Sequence, residues 1–330
     1  MNVNVMHRAD SRGVSGRRRA GGPRVRRRTS AKAMWAPVAL QVGAMVGIGA
    51  LLYPTAADWF ATLAHNAEVS GYVRAIEALP EAERLEHLQT AQRYNSFMPP
   101  GLLRDPYSPG EDDPGLYADT AYRAYEQVLR VSANGVIGEM SYPRLGIGLP
   151  VYHGTSDDIL SRGVGHLYGS SLPVGGSSTH SVLTSHSGLV HAELFTPLTG
   201  AQIGDTFTVM VLGETHTYRV DQIETVLPDQ TSSLEVVDGR DYVTLITCTP
   251  IGVNSHRILV RGVRLADDAF SADAREVAGD GKAAGFPWWS VIFVGASGAF
   301  ALVLLVKPRS RVAISTAAHA AGAPREGEAG

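Results

Sequence analysis

The stretch 242–262, YVTLITCTPIGVNSHRILVRG, contains two runs of β-branched and apolar residues on either side of a segment with Pro, Gly and Asn. This pattern predicts two strands joined by a turn. Cys248, the single cysteine of the chain, ends the first run, and Arg257, nine positions after it, opens the second. If the two strands pair antiparallel, the thiol and the guanidinium lie on the same rim of a β-structure. This rim is therefore the first candidate for a functional site.

Further strand-like segments precede this pair from residue 136 onward. Residues 179–188, THSVLTSHSG, and 206–227, TFTVMVLGETHTYRVDQIETVL, are rich in β-branched and aromatic residues and lie between turn-forming residues. The LGET within the longer segment is typical of a hairpin turn. Seven or eight short strands favour a closed barrel or a sandwich, so we expect a mainly β fold.

A helical region precedes the strands. Residues 57–95 have apolar positions at helical spacing, and Pro80 interrupts the pattern, which predicts two helices. Residues 96–118 are rich in Pro and Gly and show no period, so we expect a loop, followed by a short helix over 119–131.

Two segments, 33–53 and 286–306, contain no charged residue and are mostly apolar. Each has the roughly 20 residues that a helix needs to cross about 30 Å of hydrocarbon. Residues 1–32 carry nine Arg and one Lys against one acidic residue, and basic residues also follow position 306. The positive-inside rule then predicts two transmembrane helices with both termini in the cytoplasm. A cleaved signal peptide for the first segment and a buried core helix for the second are the alternatives.

The basic N-terminal residues also raise the possibility of nucleic-acid binding. The adjacent apolar segment explains them better, so we expect a membrane and no nucleic acid as the partner.

The lone thiol is the natural starting point for the chemistry. Cys248 cannot form a disulfide within the chain, and it is either a nucleophile at a rigid strand end or a buried structural residue. A nucleophilic thiol needs a base, and His186 is the best placed of the 11 histidines, with His180 and His191 as alternatives. Arg257 is suited to stabilise an oxyanion or, alternatively, to form a surface salt bridge. The histidine spacing is not that of zinc sites, so we expect no metal and no cofactor.

Several motifs, in order and spacing, resemble one known family. TLITC (244–248) with Arg257 nine positions on resembles the TLxTC signature and downstream arginine of sortases. Residues 149–176, LPVYHGTSDDILSRGVGHLYGSSLPVGG, together with 179–189 and 241–262, are similar to the pilin-polymerising class C sortases. The resemblance covers about 135–265, with weaker agreement from about 90, and implies a closed sortase-type barrel of about eight strands with N-terminal helices, flanked by two transmembrane helices.

The resemblance implies a transpeptidase. Cys248 would attack the Thr–Gly carbonyl of an LPxTG-like sorting signal and form a thioacyl-enzyme, which a pilin lysine amine would resolve. His186 would transfer protons and Arg257 would hold the substrate or the oxyanion. The segment DPYSPG (105–110) resembles the lid of class C enzymes, with Asp105 and Tyr107 as the lid residues.

The chain departs from the family pattern at three places near these motifs. Residues 185–188 read SHSG where the family often has GHRG, Ile251 stands where an aromatic residue is frequent, and the lid aromatic is Tyr107 rather than Trp or Phe. These differences bear on substrate preference and on how firmly the lid closes.

The expected partners are pilins and surface proteins with LPxTG-like signals, and the expected location is the cell membrane with the catalytic part outside. Three other functions stay open: a housekeeping sortase that anchors proteins to peptidoglycan, a non-catalytic membrane-tethered scaffold, and a thiol hydrolase. The predicted divisions are a basic tail (1–32), a transmembrane helix (33–53), helices and lid loop (54–134), the catalytic barrel (135–265), a linker (266–285), a second transmembrane helix (286–306) and a cytoplasmic tail (307–330).

Overall fold

The computed structural model describes residues 31–97, 103, 105–107, 119–266 and 284–306 of the 330-residue chain. Most of the predicted lid loop, most of the linker and nearly all of both predicted tails lie outside these residues.

Eight strands close into a barrel in the order β1-β2-β3-β4-β7-β8-β6-β5, which confirms the predicted mainly β fold and excludes the sandwich. The strands are β1 (Val136–Tyr142), β2 (Ile147–His153), β3 (Val164–His166), β4 (Thr179–Thr184), β5 (Thr206–Val211), β6 (Glu214–Val226), β7 (Asp241–Thr249) and β8 (His256–Arg264).

The barrel interior is filled by large side chains, as expected for a small closed barrel. The rings of Phe207 and Tyr218 are both fully buried and stack at a centroid distance of 5.6 Å. Gly262 lies against this stack, where a Cβ would come within 2.6 Å of the Phe207 ring. The glycine in the second strand of the opening sequence therefore makes room for an aromatic residue of the core.

Two pairings build the rim that matters for function. Strand β7 pairs antiparallel with β8, and Cys248 lies directly opposite Arg257. Strand β7 also pairs in parallel with β4, with Thr184 opposite Ile246 at the end of the shared register. Because parallel strands end at the same side of a sheet, the residues that follow β4 lie beside the end of β7.

In the described parts of the chain, five α-helices accompany the barrel: α1 (Ala31–Ala78), α2 (Glu81–Phe97), α3 (Thr120–Gln127), α4 (Asp157–Arg162) and α5 (Trp288–Leu305). The helical pattern does break at Pro80, as predicted. Helix α1, however, runs without interruption from the apolar segment into the barrel-packing segment. The buried Tyr72 joins it to the barrel, since its hydroxyl donates to Ile137 O (2.8 Å) and accepts from Leu212 N (2.9 Å).

Helices α1 and α5 are both long and apolar enough to cross a membrane. They contact each other, with the Gln41 amide donating to Ser297 O (3.0 Å) and the Trp59 indole donating to Gly285 O (3.1 Å). Ser297 is the one buried residue of α5, so this helix is not the core helix that the sequence left open as an alternative. An apolar helix pair with exposed outer faces suits anchoring in lipid.

Candidate active site

The sequence-predicted site residues converge on the rim where β4, β7 and β8 end. Cys248 is 7% exposed and lies opposite Arg257 on the antiparallel partner, where Cα atoms are about 5 Å apart. His186 and Cys248 each lie two residues beyond the last paired residues of β4 and β7. The Ser187 hydroxyl ties the two strand ends together by donating to Cys248 O at 2.9 Å. The thiol, the imidazole and the guanidinium are therefore neighbours.

Arg257 is held by Asp105 in a buried, bidentate pair. Its Nε and Nη2 donate to Oδ1 and Oδ2 of Asp105, both at 2.8 Å, and the two side chains are 9% and 5% exposed. Its Nη1 donates to the main-chain oxygens of Asn254 (3.0 Å) and His256 (3.1 Å). Such a fork-to-carboxylate contact is stronger and more directional than the surface salt bridge considered from the sequence.

Tyr107 fills the space between the other members of the site. The Arg257 guanidinium lies 4.9 Å from the centre of its ring, and the His186 ring lies 5.8 Å away on another side. Its hydroxyl donates to Ser185 O at 2.6 Å, with Ile246 O as a second acceptor at 3.2 Å, and accepts from the Thr184 hydroxyl at 2.6 Å. Residues 105–107 thus cover the rim through one ion pair and one hydrogen-bonded phenol.

The electrostatics of this covered state keep the thiol protonated. Burial raises the pKa of the Cys248 thiol, the Arg257 guanidinium lowers it, and the Asp105 carboxylate raises it again. Burial, followed by the nearby Cys248, also raises the pKa of Tyr107, which stays a neutral donor. The carboxylate that pairs with Arg257 therefore also weakens the positive field that would favour a thiolate.

The structure separates the three candidate histidines. His186 is partly exposed at the rim, where its Nε2 lies 2.8 Å from Oδ1 of Asp157 on α4. His180 lies at the opposite end of β4, bonded to Glu235 O (2.9 Å) and the Thr244 hydroxyl (2.7 Å), and burial lowers its pKa. His191 is exposed in the loop that follows β4.

Sequence reasoning did not find Asp157 or the hydroxyls of Thr184 and Ser187. Asp157 lies 29 positions before His186, and nothing in the linear pattern predicts that α4 reaches the rim. Within the described parts of the chain, no group of three or more His, Cys, Asp or Glu residues is arranged to hold a metal ion.

The chain is similar to several known proteins. A family model described as the sortase domain matches residues 140–265. The solved structure of sortase C-1 from Actinomyces oris is 43% identical, with a TM-score of 0.52, and the match covers 56% of this chain and 99% of that one. The pilus-related sortase C of Group B Streptococcus is 44% identical, with a TM-score of 0.54 and coverage of 60% and 97%.

The curated relatives are sortases as well. Sortase A of Streptococcus agalactiae serotype III (strain NEM316) is 29% identical over 117 residues, which are 34% of this chain and 47% of the relative. The chain spans about half the length of the curated relatives it matches.

Proposed function

Because the chain belongs to the sortase family and, within it, to class C, we propose that it is a membrane-bound cysteine transpeptidase. It cleaves an LPxTG-like sorting signal between Thr and Gly and joins the new carbonyl end to a pilin lysine amine. The observation that supports this most is the convergence of Cys248, His186 and Arg257 on one rim beneath a short covering segment.

The reaction exchanges one amide for another in two steps. In the first, His186 takes the thiol proton, the sulfur of Cys248 adds to the Thr carbonyl, the C–N bond to Gly breaks, and His186 gives that proton to the leaving amine. In the second, a lysine amine adds to the thioacyl carbonyl, His186 takes its proton, and the C–S bond breaks as the imidazolium returns that proton to the sulfur. The thiol and imidazole return to their starting state, and no oxidant, metal or water is consumed.

Arg257 stabilises the negative charge that develops on the carbonyl oxygen or holds the peptide beside the sulfur. In the resting arrangement its fork is occupied by Asp105, so the substrate must first displace the lid segment. When Asp105 leaves, the guanidinium faces the sulfur without a neutralising carboxylate, which favours the thiolate that the reaction needs.

The two apolar helices place this chemistry at a membrane. We infer that α1 and α5 both span the bilayer, that both termini are cytoplasmic, and that the catalytic barrel faces the outside. Tyr72 docks the continuous helix α1 on the barrel, which supports a fixed distance between the membrane and the rim.

A second candidate is the housekeeping reaction, in which the acceptor is a peptidoglycan amine. It is favoured by the similarity to two curated proteins named Sortase A. The lid contacts of Asp105 and Tyr107 favour the pilus reaction, since class C enzymes are the ones that resemble this chain in that segment.

The experiment offers the purified full-length chain an LPxTG peptide together with either a pilin lysine peptide or a peptidoglycan cross-bridge amine. Mass spectrometry measures the thioacyl-enzyme and the joined product. We expect the lysine product from the wild type, and neither species from Cys248→Ala, whose circular dichroism should be unchanged. Product from Cys248→Ala contradicts the nucleophile, preferential use of the cross-bridge amine favours the housekeeping reaction, and no thioacyl species from any form favours a scaffold.

A further inference from the structure

The rim contains one carboxylate that neither the lid nor the nucleophile uses. Oδ1 of Asp157 lies 2.8 Å from Nε2 of His186, and Asp157 is the first residue of helix α4. The neighbouring Asp158 faces away from the imidazole and pairs with Arg162 at 3.8 Å. The contact with His186 is therefore specific to one of two adjacent acidic residues.

The contact is supported by the main chain on both sides. The amide of His186 donates to Leu160 O (3.3 Å), and the Ser185 hydroxyl donates to Gly163 O (2.5 Å), at the end of the same helix. Leu160 itself is 2% exposed. Helix α4 and the main chain of the His186 segment are thus held together independently of the Asp157 side chain, which leaves the direction of the imidazole ring to the contact with Asp157.

Of the described ionisable groups that face the imidazole, Asp157 has the largest effect on it. From the lid, the Tyr107 ring is neutral, and the Asp105 carboxylate is cancelled by its bidentate pair with Arg257. From β7, burial keeps the Cys248 thiol protonated in the covered state. The side chain of Asp157 is 82% exposed, so solvent weakens its field, and its main effect is the direction in which it holds the ring.

We propose that Asp157 is a positioning residue that holds the His186 ring with its Nε2–H toward α4 and leaves Nδ1 to exchange protons with the peptide amines. A carboxylate only accepts hydrogen bonds, so it selects the neutral tautomer with the proton on Nε2 and the lone pair on Nδ1. Among the described residues, no hydrogen bond engages Nδ1 of His186. This inference rests on the proposed transpeptidase function and adds the assignment of the working nitrogen.

The test compares Asp157→Ala with Asp158→Ala in the full-length chain. Both substitutions remove one exposed negative charge from the same turn of helix. Asp157→Ala loses the contact with His186, whereas Asp158→Ala loses only the long, exposed pair with Arg162. We expect Asp157→Ala to lower kcat about fivefold to tenfold with little change in KM, because the ring loses its orientation. Asp158→Ala should stay within about twofold of the wild type. Equal losses in the two variants contradict the inference.

A second measurement determines the tautomer of the His186 ring and does not depend on enzyme turnover. Histidine-selective ¹⁵N labelling reports which ring nitrogen is protonated, and the His186→Gln variant identifies the His186 signals. We expect the proton mainly on Nε2 in the wild type and in Asp158→Ala, and a mixture of tautomers in Asp157→Ala. Identical tautomer signals in all three forms overturn the role of Asp157 even if the wild type is fully active. An inactive wild type with the expected tautomer shift instead contradicts the transpeptidase and leaves the positioning intact.

Discussion

Two clusters that contain tyrosine and histidine lie at the barrel wall, and they differ in charge and in how they are closed. The inner cluster, at β2 and β3, contains Tyr125, His153, His166 and Ser171. The rim cluster, at the ends of β4, β7 and β8, contains Asp105, Tyr107, His186, Cys248 and Arg257.

The inner cluster is neutral, and its Tyr125 and His166 side chains are fully buried. The Tyr125 hydroxyl contacts Nδ1 of His166 at 2.8 Å and accepts from Gly154 N at 3.1 Å, while Nε2 of His166 contacts Ser171 O at 2.8 Å. Burial lowers the pKa of the fully buried His166 to about 4, so it stays uncharged at neutral pH. Its two ring nitrogens are engaged by the hydroxyl of Tyr125 on α3 and by the main-chain oxygen of Ser171, in the connection between β3 and β4.

The rim cluster is ionic and closed by only three described residues of the lid segment. Its phenol resembles that of the inner cluster in bonding to main-chain oxygens, but its closure also depends on the buried ion pair between Arg257 and Asp105. The same residue types are therefore structural where burial keeps them neutral, and under the proposed function they are reactive where Asp105 balances Arg257.

The largest expected effect is at the cation of the rim cluster. Arg257→Lys should lower kcat/KM for peptide cleavage by about 100-fold, because one ammonium cannot reproduce the planar fork that binds carboxylate or oxyanion. Arg261→Lys is the matched control. Arg261 lies on the same strand and forms a similar bidentate pair with Asp221, at 3.0 Å and near the surface. Equal losses in the two variants, or normal turnover in Arg257→Lys, would remove Arg257 from the site.

A smaller effect is expected from opening the rim cluster. The double variant Asp105→Ala, Tyr107→Ala should raise the rate of Cys248 alkylation by iodoacetamide at neutral pH roughly tenfold or more. The carboxylate no longer neutralises Arg257, and solvent reaches the sulfur. Tyr107→Phe keeps the ring but loses the hydroxyl bonds, so its increase should be only a few-fold. An unchanged alkylation rate in the double variant means that residues 105–107 are not the lid.

The smallest effect concerns the stability of the inner cluster and its dependence on pH. The folded-state pKa of His166 (about 4) is below the ordinary value of 6.5, so protons bind preferentially to the unfolded chain between these values. Lowering the pH from about 6.5 to about 5.5 should therefore reduce the free energy of unfolding by about 1 kcal/mol. His153, whose pKa burial lowers to about 3, adds a loss of the same sign and size.

Denaturant titrations at the two pH values measure this loss, and His166→Gln is the informative variant. Glutamine can still bond to Tyr125 and to the Ser171 carbonyl, but it does not titrate, so the part of the loss that comes from His166, about 1 kcal/mol, should disappear. A wild type equally stable at both pH values contradicts a neutral inner cluster.

Local sequence patterns are sufficient to predict the strand ends of the site and the apolar helices. The β7–β8 pair is a hairpin, and its register follows from alternation and turn length, so Cys248 opposite Arg257 needed only nearby sequence. The position of His186 at the end of an apolar run is likewise a local feature. Apolar length without charge marked both helices that are able to cross a membrane.

Contacts between distant segments account for the rest, because their geometry depends on how separate elements pack. The parallel pairing of β4 with β7 brings His186 beside a thiol 62 positions away, and Asp157 meets the imidazole only because α4 packs against the same rim. The docking of α1 likewise depends on the barrel, where the Tyr72 hydroxyl bonds to Ile137 of β1 and to Leu212 in the turn after β5. Residue types and strand ends follow from the pattern of the chain, whereas the pairing of charges that sets reactivity follows from packing, which linear spacing does not encode.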